Sequence, residues 1–446
     1  MNRIWPVIPA LVFFSLGACL IQGPMLRLAW ATLGLLFFLK IGSVIRNKYL
    51  SLPLPRGWGW LFYFVLWPGM RPESFSVRKK ISEFGPEESI GKDFVWGFVF
   101  FIGGIIFQGV LFLEWDRILP DLALWLGLLS FLIILHFGFS SLLFSAYRLL
   151  GWPVEPLFQS PLSSSSLREF WGQRWNLAFV DMDKRLFLPL LGKKLKSPAG
   201  KSLAVLGIFF LSGLLHEIGI SYPAGAAWGG PFLYFILQGL FVLFEPIFMS
   251  KLGAVLAPKE KSLFEKLWVW VAILLPIPLL FHSAFLHTFI LPYFEFGHNA
   301  INSVSYLQLL HGALLVCGLG HLLILVASFQ VPQKLGWKGE FSRLGRFNQK
   351  IFWTYGGYIV FCIVSFALID ILNVQGLLQN NSSSLVIGLF IAVFWTARII
   401  VDFGYFKHTD WPRGDEFVVG HTCLTALFCC LALTHWGLVA WQLTKL

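Results

Sequence analysis

The chain is 446 residues long, 57% hydrophobic and only 13% charged, whereas a soluble domain carries about 25% charged residues; a soluble enzyme or binding module is excluded and a polytopic membrane protein is indicated. The formal charge of +11 does not point to nucleic acid, because the basic residues fall in short loops between apolar runs, where topology and anionic lipid account for them. Cys19, Cys317, Cys362, Cys423, Cys429 and Cys430 lie in apolar runs without CxxC or framework spacing, which reads as structural thiols rather than disulfides or metal ligands.

About twenty apolar residues cross a bilayer as a helix. On that length the sequence predicts spans near 6–22, 26–45, 94–114, 121–146, 202–221, 229–249, 267–290, 305–328, 352–372, 386–406 and 417–443, so the fold class is all-α with about eleven transmembrane helices. Met1-Asn2-Arg3 and the apolar run to Cys19 are similar to a signal peptide, and Leu16-Gly17-Ala18-Cys19 to a lipoprotein cleavage box. A second apolar run follows almost at once, so the first is read as a transmembrane helix. The run Trp58–Trp67 is too short to cross and ends in Pro68-Gly69; it is read as re-entrant or interfacial. With the N-terminus inside, the basic segments 46–56, 71–92, 148–201, 251–266, 334–350 and 407–413 all fall on the cytoplasmic side, leaving Arg27 and Arg117 opposite. The protein is expected to be integral and multi-pass, in the cytoplasmic membrane of a bacterium or the endoplasmic reticulum of a eukaryote.

The stretch 149–200 is the longest between spans. Pro153, Pro156, Pro161 and the serine run 163–166 mark a loop, and Ser166 followed three residues later by Glu169 predicts a capping box opening a helix through Trp175. In an α-helix Phe170 and Arg174, or Trp171 and Trp175, share a face. That helix is expected in the membrane interface, with its aromatic rings toward lipid and Arg168 and Arg174 toward headgroups or a phosphate-bearing ligand. Lys184, Arg185, Lys193, Lys194, Lys196 and Lys201 follow and make this the most cationic face. A polar stretch from His298 to Asn302 then interrupts the spans and divides the chain into a core over 1–296 and an appended unit of about four helices over 297–446.

An ionisable residue within a span costs about 2.5–3.5 kcal/mol at its centre on insertion scales, so it asks for a partner or a purpose. His216 is such a residue. Hydrocarbon disfavours the imidazolium, and a neutral ring is able to accept a proton as a general base. Gly213 and Ser212, three and four residues earlier, share its face and leave room for a substrate and a second hydroxyl; Glu217 points about 100° away. The bland reading is a histidine bonding a neighbouring helix. Asn176, neutral and with two donors and an acceptor, is suited to positioning an acyl group or bearing developing negative charge, or else simply terminates the loop. Gln238 and Glu245, seven apart on one helical face, line the same cavity or join helices.

The run Ser166-Leu167-Arg168-Glu169-Phe170-Trp171-Gly172-Gln173-Arg174-Trp175-Asn176, followed by Ser212-Gly213-Leu214-Leu215-His216-Glu217, resembles the hallmark motifs of the membrane-bound O-acyltransferase superfamily, in particular its wax synthase branch, which Trp67-Pro68-Gly69-Met70 also resembles. The likeness covers roughly 50–290 and leaves the segment after 300 unassigned. It implies acyl transfer from acyl-CoA, a co-substrate with no bound cofactor, to the hydroxyl of a lipid alcohol or diacylglycerol in contact with membrane lipids. In it His216 and Asn176 are catalytic; around them Phe170, Trp171, Arg174, Trp175, Ser212, Gln238 and Glu245 are expected to bind substrate. The competing acceptor is a polysaccharide or other exported molecule receiving acetyl groups.

Two other classes compete. A di-iron hydroxylase needs several close histidine pairs, and only His282 and His287 are so spaced. A transporter suits the number of spans, but inverted repeats are not visible. Near the cytoplasmic face, His408, Asp410 and His421, with Asp402, Arg413, Asp415 and Glu416, are read as a salt-bridged connecting loop in preference to a metal site.

Overall fold

The computed structural model describes residues 20–80, 83–84, 90–191, 197–252, 258–406 and 414–445, with Gly17 besides. Among these residues there is no strand, and ten helices are long and apolar enough to cross a membrane. The protein is a multi-pass membrane protein whose chain separates into two compact units, Met1–Asn299 and Ala300–Leu446.

Unit 1 contains the candidate spans α1 (Pro24–Tyr49), α3 (Ile90–Arg117), α4 (Pro120–Leu149), α7 (Pro198–Ala224), α8 (Gly230–Lys251) and α9 (Lys259–Leu280). Between them lie the short helices α2 (59–66), α5 (167–174) and α6 (177–191), and α10 (283–303) carries the chain to the unit boundary. Unit 2 contains the candidate spans α11 (Tyr306–Lys334), α12 (Arg346–Leu372), α13 (Ser382–Gly404) and α14 (Asp415–Leu443). The helix starts follow local rules. Proline stands in the first turn of α1, α4 and α7, where its missing N–H costs nothing, and Ser197, Ser305 and Asn381 cap α7, α11 and α13 through their side chains.

Nine of the predicted spans fall on these helices, and the one over 6–22 lies almost wholly outside the described residues. The span predicted over 267–290 is corrected. The chain breaks near Pro276, α9 stops at Leu280, and His282 Nδ1 accepts from Phe285 N at 3.1 Å to begin α10. Pro276 and Pro278 remove amide donors inside an apolar run, which composition alone does not register. The polar stretch from His298 to Asn302 belongs to the end of α10 rather than to a loop, with His298 Nδ1 2.7 Å from the Phe112 carbonyl.

The segment Trp58–Trp67 is helical over 59–66, about 12 Å long and too short to cross. The fully buried Lys40 of α1 donates to the carbonyls of Tyr63 and Trp67, which satisfies acceptors that a helix end leaves unpaired. One further packing feature positions the site. A Cβ on Gly213 would stand 3.0 Å from Phe232 Cα, and one on Gly239 3.0 Å from Phe209 Cβ; glycines on both sides bring α7 and α8 into close contact.

Candidate active site

The motif segment opens as expected and then departs from an α-helix. Ser166 Oγ accepts from Glu169 N at 3.1 Å, the first half of the capping box. The second half is shifted: Glu169 Oε2 takes the amide and hydroxyl of Ser165, each at 2.9 Å, instead of the Ser166 amide. From Phe170 to Arg174 the backbone widens into a π-turn, closed by Trp175 N donating to the Phe170 carbonyl at 2.8 Å. Neighbours on its surface are therefore five apart, not four. Phe170 stacks on Trp175 with centroids 5.3 Å apart, and Arg174 pairs with Glu169 at 2.6 Å.

The orientation predicted for this segment is also corrected. Phe170 is 2% exposed inside the core, and Trp171 and Trp175 pack against the same cluster; α8 and α9 supply the apolar surroundings that lipid was expected to provide. Trp171 Nε1 donates to Gln238 Oε1 at 3.3 Å, and Gln238 Nε2 donates to the Ala272 carbonyl of α9 at 2.7 Å. Seven residues along α8, Glu245 accepts from Leu167 N at 2.9 and 3.0 Å. Gln238 and Glu245 thus clamp α5 to α8. Arg174 is engaged as well, by Glu169, by the carbonyls of Gln159 and Ser160 and by Ser163 Oγ, while Arg168 is exposed. The Ser165 amide, with help from Arg174, holds the Glu169 carboxyl below its usual range.

Asn176 begins α6 at φ 42°, ψ 64°, a left-handed conformation that Asn tolerates better than most residues. Its side chain makes no cap to the helix behind it, so the amide is not spent on ending the loop. His216 closes the α-helical part of α7, just before a second π-turn over Glu217–Ser221. Its Nδ1 lies 2.7 Å from the Ser212 carbonyl. A carbonyl only accepts, so Nδ1 carries the proton and Nε2 keeps a lone pair. Ser212, 8% exposed, contributes this carbonyl one turn earlier.

The residues that link His216 to the motif were not singled out from sequence. The His216 ring meets Phe235 at 4.2 Å and Phe179 at 5.7 Å. Phe179 stands three residues after Asn176, and Phe235 in turn meets Trp171 at 5.8 Å. Their only sequence signal is the spacing of Phe179 from Asn176. His136, in a π-turn of α4, stacks on Trp175 at 5.8 Å, and its Nδ1 has no partner among the described residues. Glu217 is engaged through Oε1, which accepts from Gly229 N and Phe232 N at 2.9 Å and so caps α8.

Of the cations expected to form the most cationic face, Arg185 is bound to Glu73 and Asn47; Arg71, outside that set, is bound to Asp181 at 2.7 Å and Glu155 at 2.8 Å. Lys184 and Lys201 are exposed, and Lys193, Lys194 and Lys196 lie outside the described residues. Asp183 on α6 is buried, with Oδ1 meeting no partner among the described residues, and burial pushes its carboxyl up to about 7. In unit 2, His408, Asp410 and Arg413 lie outside the described residues, and His421 Nε2 meets Asp402 at 2.8 Å. Among the described residues no three His, Cys, Asp or Glu side chains are grouped to hold a metal.

Residues 152–237, which include both motifs, match the family described as membrane bound O-acyl transferase. The chain is also similar to three proteins of Arabidopsis thaliana. Probable long-chain-alcohol O-fatty-acyltransferase 1 is 39% identical over 74 residues, 16% of this chain and 22% of the relative. Number 8 of that series is 30% identical over 120 residues, 25% and 34% of the two chains, and number 7 is 30% identical over 102 residues, 22% and 30%. The chain thus spans only between about a fifth and a third of the length of these relatives.

Proposed function

We propose that this chain, whose residues 152–237 are those of the membrane bound O-acyl transferase family on its wax synthase-like side, transfers a fatty acyl group from acyl-CoA to the hydroxyl of a lipid alcohol. The observation that carries the reading is a sorting of polar groups. Arg174, Gln238 and Glu245 are consumed by contacts that hold the backbone in place, whereas among the described residues the Asn176 side chain caps no helix and the His216 bond to Ser212 uses Nδ1 and leaves Nε2, so that both remain for a substrate.

His216 Nε2 takes the hydroxyl proton of the alcohol as its oxygen attacks the thioester carbonyl. The carbonyl π-pair moves onto oxygen, where an amide donor from Asn176 stabilises the charge. Collapse of this intermediate breaks the C–S bond, and the leaving thiolate recovers the proton from the His216 imidazolium, so no net proton is used. Phe170, Trp171, Trp175, Phe179 and Phe235 exclude water from the competing hydrolysis. Acyl-CoA is co-substrate, no bound cofactor is required, and the acceptor is a lipid alcohol or diacylglycerol drawn from the membrane. The transfer belongs to the core over 1–296, and the helices after it are an appended unit.

The test is ester formation by purified protein in detergent, with labelled long-chain acyl-CoA offered beside hexadecanol, diacylglycerol and a soluble glycan, for wild type and His216→Ala. Wax ester or triacylglycerol from wild type, and a loss of about 10²–10⁴ in the variant, is the expected result. Undiminished turnover by a folded variant removes His216 from the mechanism. Transfer of acetyl groups alone, to the glycan, replaces the lipid acceptor with an exported one.

A further inference from the structure

Unit 2 buries an ionisable cluster for which acyl transfer has no use. His321 of α11, Asp370 of α12 and His435 of α14 have no solvent exposure at all, and Trp395 of α13, 2% exposed, completes the set. Each of the four helices supplies one member. Ionisable side chains inside spans are costly enough that a purpose is the first expectation.

Counting donors and acceptors fixes where the protons are. Trp395 Nε1 can only donate and lies 2.9 Å from His321 Nε2. That nitrogen is therefore bare, and the His321 proton sits on Nδ1, which stands 3.3 Å from Asp370 Oδ2, close enough for an electrostatic contact but with neither atom hydrogen-bonded among the described residues. His435 Nδ1 lies 2.8 Å from the Leu431 carbonyl, which can only accept, so Nδ1 is protonated. The other nitrogen, His435 Nε2, lies 3.1 Å from Asp370 Oδ1. With a neutral His435 and an ionised Asp370, two lone pairs would face each other across that gap. One more proton is required there, written either as imidazolium beside carboxylate or as imidazole beside carboxylic acid. Both forms make the cluster neutral, whereas losing the proton would leave an uncompensated charge in a dry interior.

We propose that unit 2 contains a proton-binding site, in which one exchangeable proton is held between Asp370 and His435 and is oriented by His321 and Trp395. Among the described residues, other titratable groups near the pair are Cys317 of α11, whose electrostatic neighbours are Asp370 and Cys430, and Cys430 itself. A second Asp–His pair stands toward the start of α14: Asp402 meets His421 at 2.8 Å, Thr425 Oγ1 at 3.1 Å and Arg398 at 3.0 Å. His421, Thr425, Phe428, Ala432 and His435 share one face of α14, with the two histidines about 21 Å apart. Between the pairs Trp395 stacks on Phe428 at 5.1 Å, and the Arg398 guanidinium lies 5.0 Å from the same Phe428 ring. The outer pair is partly exposed through His421 and the deep one is closed, so exchange at Asp370 waits on opening of this aromatic layer.

The test uses full-length protein with ¹⁵N-labelled histidine, read by NMR and by infrared difference against Asp370→Asn from mildly acidic to mildly alkaline pH. The expected result is either a His435 ring protonated on both nitrogens or a carboxylic acid band that vanishes in Asp370→Asn. In that variant the Asn amide donates to His435 Nε2, so the helix contact survives while one bound proton is lost and His435 becomes neutral. Should Asp370→Asn not fold, the wild-type spectra carry the test alone. A wild-type His435 protonated on Nδ1 alone beside an ionised Asp370 overturns the proposal. So do identical proton counts in wild type and in a folded variant, the signature of a network that only holds helices together.

Discussion

The Ser212 carbonyl oxygen lies 2.7 Å from His216 Nδ1. One ring proton is thereby committed to the backbone one turn earlier, and the lone pair left on Nε2 is what a general base requires. In His216→Asn the side-chain amide still reaches the Ser212 carbonyl but offers no base. It should melt close to wild type while kcat falls about 10²–10⁴-fold, read as ester formed per enzyme under saturating acyl-CoA and alcohol. Wild-type kcat in this variant would leave His216 with a structural role alone.

Asn176 poses a separate question, because its left-handed backbone and its amide are independent reasons for an asparagine at this position. Asn176→Ala costs about 1–2 kcal/mol in backbone strain, whereas Asn176→Gly relieves the strain and still deletes the amide. If the amide bears charge in the transition state, the glycine variant folds normally and loses about 10²–10³ in kcat. A fully active glycine variant would show that only the turn matters.

Arg174 and Glu245 hold the motif segment against its surroundings. Glu245→Ala leaves the buried Leu167 amide unpaired, at a cost of about 1–3 kcal/mol, while Glu245→Gln retains an acceptor and should cost less. Arg174→Lys loses the fork that reaches Glu169 and the 159–163 loop together. The expected signature of all three is a lower melting temperature with KM for acyl-CoA within about threefold of wild type, as for uniform structural loss. A tenfold or greater rise in that KM for Arg174→Lys would restore the phosphate-binding role expected from its charge.

What could be read from the chain divides along physical lines. A run of twenty apolar residues has few alternatives to a spanning helix, so most of the spans were legible. Pro276 lies within such a run, and hydropathy does not distinguish a continuous helix from two. His216 and Asn176 stood out because polar groups amid hydrocarbon are conspicuous. The π-turn over Phe170–Arg174 was invisible, since an i+5 pairing is favoured only once Phe170–Trp175 stacking and the Glu169–Arg174 pair reward it. From sequence the aromatic face points to lipid as readily as to protein, because lipid and a helical core are equally apolar, and only the presence of α8 and α9 decides between them. Spacing puts Gln238 and Glu245 on one helical face, but what that face meets depends on residues about seventy positions away.

Asp183 supplies a pH dependence of its own. Its folded carboxyl titrates at about 7 because burial opposes the charge, against an ordinary value of 3.8. Since the folded value is the higher one, the folded state binds more protons between the two, and stability falls as pH rises from about 4 to 7, then levels off. At one pKa unit per 1.36 kcal/mol, the loss is on the order of 4 kcal/mol at most, reduced by whatever exposure the group retains. Asp183→Asn presents the same shape without a charge to bury, so its melting temperature should exceed that of wild type at pH 8 and the advantage should shrink as pH falls toward 4. Parallel melting curves across that range would mean that a group facing Asp183 neutralises its charge in the folded protein.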